Sequence, residues 1–282
     1  MNAILILTDF SENASQAARA ATLLIEKLHS DVVLYHTYYD SPAFLSYAGG
    51  PLLVDELALR KEDAIVKLDQ LATTLRADIK HLSHGAFCPA IKYQCSEGPL
   101  RKNVSAILNK RDVELIVMGC PSGTDLSHLL FGSDTLSVMD AASRPVLVIP
   151  PKFDFGATKK ITLATNFEPA DIDAIAYLTR LCKNLGYELN VVHVNVYGEN
   201  EDPSEKLAIQ TFLDNQCISY NEIRGKNVMN RLGTLCEESR SDILAIIHYD
   251  NGFFSNIFRK SNTAQVVLNH PIPLLIIPGK LT

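Results

Sequence analysis

A basic excess is missing from this chain: 26 Lys and Arg stand against 32 Asp and Glu in 282 residues, a formal net charge of −6. Binding along a nucleic-acid backbone needs a basic stripe to neutralise phosphates, so nucleic acid is not an expected partner. No apolar run approaches the roughly 20 residues of a membrane span. The run at residues 3–7 is too short for a secretory signal and lacks its basic flank. A cytoplasmic location with no membrane partner is expected. The six cysteines, Cys88, Cys95, Cys120, Cys182, Cys217 and Cys236, never fall into CxxC spacing, which points to reduced thiols rather than a disulfide framework. His81, His84 and Cys88 are spaced like metal ligands, but a zinc site wants four convergent ligands, and these read as solvated loop residues. No metal is predicted.

Catalytic signatures are lacking too. There is no Gly-x-Ser-x-Gly elbow, no Gly-x4-Gly-Lys-Ser/Thr phosphate loop and no Gly-x-Gly-x-x-Gly turn. The segment Gly119-Cys-Pro-Ser-Gly123 lacks the elbow spacing and has no histidine placed by sequence as a base. Phosphoryl transfer would also want a Lys or Arg clamp and carboxylates for Mg²⁺, which this loop does not supply. An enzyme is not expected.

What is present is a repeat. Ile4-Leu-Ile-Leu-Thr-Asp-Phe-Ser-Glu12 returns as Ile161-Thr-Leu-Ala-Thr-Asn-Phe-Glu-Pro169. Likewise Ile91-Lys-Tyr-Gln-Cys-Ser-Glu-Gly98 returns as Ile218-Ser-Tyr-Asn-Glu-Ile-Arg-Gly225, and Val146-Leu-Val-Ile-Pro150 as Leu274-Leu-Ile-Ile-Pro278. Two copies of one domain stand in tandem, the second shortened between its second and third strands, so that residues 39–80 are an elaboration of the first. With 47% hydrophobic and 21% charged residues, each copy has material for its own core.

Short aliphatic runs alternate with helical patterns, the mark of parallel strands joined by crossover helices. Strands are predicted at 3–8, 32–37, 90–94, 115–118 and 146–149, and again at 160–164, 188–194, 218–222, 243–247 and 274–277. Helices are predicted at 11–28, 56–76, 100–110 and 133–142, then at 170–185, 204–216, 228–239 and 261–268. The fold class is α/β: two tandem, doubly wound, five-stranded parallel-sheet domains, residues 1–152 and 153–282, joined by a polar linker after Pro150-Pro151. A Pro- and Gly-bearing loop at residues 39–51 is placed to act as a lid or to be a plain surface loop.

In an open α/β sheet, ligands bind beyond the carboxyl ends of the strands where strand order reverses. That directs attention to Thr8-Asp9-Phe10-Ser11 after strand one and to Met118-Gly119-Cys120-Pro121-Ser122 after strand four. The latter leads to Gly132-Ser133-Asp134-Thr135, where a helix opens and free N–H groups would receive a phosphate. These residues resemble the universal stress protein family over nearly the whole chain, as two family domains. Nucleotide-binding members carry Gly-x2-Gly-x9-Gly-Ser/Thr after strand four and an Asp after strand one. Here the match is Gly119-x2-Ser122-x9-Gly132-Ser133 with Asp9. The resemblance implies that Asp9 holds a ribose, that Thr37 meets adenine through its backbone, and that Gly132 and Ser133 cradle phosphate. Thr8, Met118, Gly119, Ser122 and Thr135 complete the implied site for ATP or AMP.

The chain departs from the family pattern at Pro121, which offers no N–H, and at Ser122, which replaces a glycine. Asp134 sets a negative charge beside the phosphates, which favours a monophosphate over a triphosphate. In copy two Asn166 replaces the acid, Ile247-His248-Tyr249-Asp250 replaces the glycine loop and Lys260-Ser261 stands where Gly-Ser would, so that copy is expected not to bind. Phe253, Phe254, Ile257 and Phe258 are read as packing residues and His248 as a strand-end residue. Two readings stay open: a stress-response regulator with an adenine nucleotide in copy one, and a ligand-free scaffold. A small-phosphate hydrolase is a third, weaker idea. Family members pair edge strands near the chain end, which predicts an intramolecular pseudo-dimer joined through 146–149 and 274–277.

Overall fold

The computed structural model describes residues 2–38, 51–120, 133–168, 170–195, 203–224, 228–249 and 272–280. Ten strands form one sheet. In the first half they are β1 (Ala3–Leu7), β2 (Asp31–Tyr38), β3 (Ile91–Glu97), β4 (Val113–Gly119) and β5 (Val146–Ile149). In the second they are β6 (Lys160–Thr165), β7 (Glu188–Asn195), β8 (Tyr220–Arg224), β9 (Ile243–His248) and β10 (Leu274–Pro278). Their order is β3-β2-β1-β4-β5-β10-β9-β6-β7-β8. Each half is parallel, and strand order reverses between β1 and β4, and again between β6 and β9. The halves meet where β5 and β10 run antiparallel, Leu274 opposite Val148 and Ile276 opposite Val146. The expected pairing of the two chain-end edges is therefore present, and the sheet is continuous across it.

The helices are α1 (Glu12–Ala20), α2 (Thr22–Leu28), α3 (Pro51–Leu82), α4 (Leu100–Leu108) and α5 (Ser133–Ala141) in the first half. The second half has α6 (Asp171–Leu185), α7 (Pro203–Asn215) and α8 (Val228–Glu238). One face of the sheet is covered by α1, α2, α3, α6 and α7, the other by α4, α5 and α8. Each apolar layer runs through both halves. Strands covered on both faces can be wholly apolar, and all five residues of β1 are buried.

Differences from the sequence reading have local causes. The single helix expected at 11–28 is broken at Ala21, and beside the break the Thr22 hydroxyl donates to Arg19 O at 2.6 Å. The helix expected at 56–76 extends to Pro51–Leu82. Ala64, Leu68, Ala72, Leu75 and Ile79 form one buried stripe along it, which continues past Arg76, the expected end. Its first residue is Pro51, at a position that needs no N–H partner. In copy two a 13-residue helix, α7, stands in its place, which accounts for the shorter repeat. The linker is packed rather than merely polar: Phe155 is buried against the shared core, and Lys152 N donates to Gln16 Oε1 at 3.1 Å. Residues 39–50 of the expected 39–51 loop and the helix expected at 261–268 lie outside the described residues.

Candidate functional site

The carboxyl ends of β1, β2 and β4 and the start of α5 enclose a cleft of about 140 Å³ at the first point of strand reversal. Thr8, Asp9, Thr37, Met118, Gly119 and Thr135 all line it, joined by Tyr35, His36, Leu100, Cys120 and Asp134. Six of the nine sequence-predicted residues thus converge. Ser133 begins α5, while Ser122 and Gly132 lie outside the described residues. Leu100, Tyr35 and His36 were not expected because, apart from Thr37 implied by the resemblance, the candidates came from the turns after strands one and four. The Gly98-Pro99 turn after β3 was the available signal, since all parallel strands end on one rim.

The turn after β1 is held by its own side chains. Phe10 takes a left-handed backbone at φ 64°, and its N–H donates to Thr8 Oγ1 at 3.0 Å. Asp9 Oδ1 accepts from Ser11 N at 2.9 Å, and Ser11 caps α1 by accepting from Ala14 N at 3.2 Å. His36 Nδ1 donates to Thr8 O at 2.8 Å, which fixes the ends of β1 and β2 together. Beneath the turn, α1 crosses β4 so closely that a Cβ on Gly119 would lie 2.8 Å from Asn13 O and 2.9 Å from Ala14 Cα. This glycine has a packing reason independent of any ligand. Above it, the Thr135 hydroxyl is fully buried and has no hydrogen-bond partner among the described residues.

Copy two reproduces the turn and fills the space above it. Phe167 has φ 61° and donates from its N–H to Thr165 Oγ1 at 2.9 Å. Phe167 stacks on His193 at 4.2 Å, as Phe10 packs against His36 at 4.4 Å. Where copy one has Ala14, copy two has Asp171, fully buried. Its carboxylate accepts from the Thr165 hydroxyl, from Tyr249 OH at 2.8 Å and from Glu168 N at 3.1 Å. Burial raises the Asp171 carboxyl to about 6, against the lowering effect of the Thr165 and Tyr249 hydroxyls. Ile247 occupies the sheet position of Gly119, opposite Ile277 as Gly119 is opposite Ile149. His248 lies 3.4 Å from Asp140 of α5, linking the two halves.

Residues 1–150, over half the chain, match the model of the universal stress protein family. The chain belongs to the universal stress protein family. This family member is similar along its length to a universal stress protein from Archaeoglobus fulgidus DSM 4304, at 17% identity and a TM-score of 0.68, covering 98% of this chain and 96% of that one. A functionally unknown protein from Pseudomonas aeruginosa PAO1 is similar at 14% identity and 0.60, covering 99% and 92%. A putative universal stress protein from Pseudomonas aeruginosa UCBPP-PA14 gives 13% and 0.60, covering 99% and 93%. Identities this low establish a shared fold. No curated protein matches the sequence. Among the described residues no helix is long and apolar enough to cross a membrane, and no group of three His, Cys, Asp or Glu could hold a metal.

Proposed function

We propose that this chain is a cytoplasmic, non-catalytic stress-response protein that binds an adenine nucleotide in the cleft of its first domain, residues 1–152, while the second, residues 153–282, is a closed structural partner. The observation that carries the reading is Thr135. A buried hydroxyl without a partner costs about 1–3 kcal/mol, and this one faces a cleft at the opening turn of α5 beside Asp9. A ligand oxygen would satisfy it, and the N–H groups at the start of α5 would add to the attraction for a phosphate. Asp9 is placed to accept from ribose hydroxyls, with Thr8, Thr37, Met118 and Gly119 on the same cleft, and Ser122, Gly132 and Ser133 complete the proposed nucleotide set. Two carboxylates and no Lys or Arg line the described cleft, which favours AMP over ATP.

A second reading, a ligand-free scaffold, is favoured by the cleft's size. Its described part, about 140 Å³, is below the roughly 300–1,000 Å³ of ordinary ligand pockets.

Nucleotide released from freshly purified, denatured protein and titration of AMP, ADP and ATP decide between them. Near-stoichiometric release, with affinity reduced about tenfold in Asp9→Asn and Thr135→Val, each the loss of one polar contact, supports the first reading. No release and no binding heat supports the scaffold.

A further inference from the structure

A second cleft, of about 420 Å³, lies at the opposite end of the sheet, at the seam between the halves. Asn2, Asp112, Glu114 and Arg144, at the starts of β1, β4 and β5, form one wall. The other is a stripe of α6, Tyr177, Arg180, Leu181 and Asn184, spaced i, i+3, i+4 and i+7 on one helix face. It therefore holds one arginine from each half. Among the described residues neither Arg144 nor Arg180 has a carboxylate within ion-pair distance, and Arg180 only lies over the Tyr177 ring at 6.0 Å. The nearby Glu114 is occupied elsewhere: it accepts from the Ser30 hydroxyl and, at 3.2 Å, from Asn2 Nδ2. Burial, and then the Glu114 charge, raise the Tyr177 phenol, while Arg180 and Arg144 act the other way. All three charges therefore bear on that hydroxyl, which stays a proton donor.

The repeat supplies an internal control. In the register that lays β6 on β1 and β10 on β5, Arg180 corresponds to Leu23 and Arg144 to Ile272, both partly buried against the apolar layers. The fold is built at the mirror position with two aliphatic side chains, so it does not require the arginines. Two guanidinium groups that form no ion pair among the described residues, on a cleft they share with a phenol, an amide and the carboxylates of Asp112 and Glu114, are arranged as a forked receptor for planar or tetrahedral oxyanions.

We infer that the seam cleft binds a small oxyanion, phosphate or carboxylate, between Arg144 and Arg180, with Tyr177 and Asn184 as further donors. The site is independent of the nucleotide cleft and exists only where both halves are joined. Its test is titration of the full chain, at fixed ionic strength, with inorganic phosphate and separately with citrate, following backbone amide shifts. The expected result is saturable shifts centred on Tyr177, Arg180, Asn184 and Asn2, the preferred anion telling phosphate from carboxylate. Arg144→Gln and Arg180→Gln should each weaken binding about tenfold, Arg180→Lys by less because the charge stays and the fork is lost, and Asp9→Asn not at all. Non-saturating shifts with both anions, or saturable binding that survives both glutamine substitutions, would overturn the inference.

Discussion

The phenol of Tyr249 donates to Asp171 Oδ1 at 2.8 Å, joining the end of β9 to the first residue of α6 across the space that in copy one is the candidate cleft. The Tyr249 ring lies so close to Gly279 that a Cβ there would be 2.1 Å from it. Among the described residues of copy two, Tyr249 and Asp171 thus occupy that space, with a carboxyl raised to about 6 by burial at the centre.

Asp171 should make stability fall as pH rises. Its folded value exceeds the unfolded one, so the carboxyl is protonated in both states below about pH 4, and above about pH 6 the folded chain must hold a buried charge. The difference is at most roughly 3 kcal/mol from the size of the shift. Asp171→Asn keeps acceptor and shape and should flatten this dependence, raising stability at pH 7.5 and changing little at pH 4. Urea unfolding at the two pH values checks it, and a steeper slope in the variant would contradict the assignment.

Tyr249→Phe should cost about 1–3 kcal/mol by removing a donor from a buried carboxylate. The loss should be larger at pH 7.5 than at pH 4, because the ionised acceptor needs the donor more.

Gly119→Ala should destabilise the protein by about 1–3 kcal/mol, since the new methyl meets backbone atoms of α1 rather than a movable side chain. Thermal unfolding without nucleotide separates this packing cost from any loss of binding.

Thiol reactivity should divide the cysteines. Cys88 and Cys217 are exposed and should react with a disulfide reagent in the native state. Burial raises the Cys120 and Cys236 thiols to about 11 and Cys182 to about 12, so these three should react only on unfolding. Rapid native labelling of any of them would count against the described packing.

A chain truncated after Lys152 should self-associate, because β5 would present the edge now paired with β10. Sedimentation should show a dimer; a well-behaved monomer would argue that the edge is protected some other way.

Alternating strands and helices were legible because buried parallel strands are continuous aliphatic runs, as in residues 3–7, and the repeat fixed their number. The β5–β10 junction was expected from the family resemblance, and two apolar edges that each need a partner agree with it. The length of α3 was not legible, because its core stripe carries on past the expected end at Arg76 to Ile79, between the charged Asp78 and Lys80. At the site, Asp9, Gly119 and Thr135 were found because turn chemistry and helix starts are local. Asp171 and Tyr249 were not, since 78 positions separate them and a hydrogen bond at that separation leaves no periodic trace. The seam arginines escaped for the same reason: Arg144 and Arg180 belong to different copies, and only the packed sheet brings them to one cleft.

The antiparallel join of β5 to β10 also changes what a substitution does. In a symmetric pair of separate chains, every replacement is made twice, so a plug such as Tyr249 would shut both clefts at once. With both halves on one polypeptide, each position is set once, and one half can give up its opening while its twin keeps it.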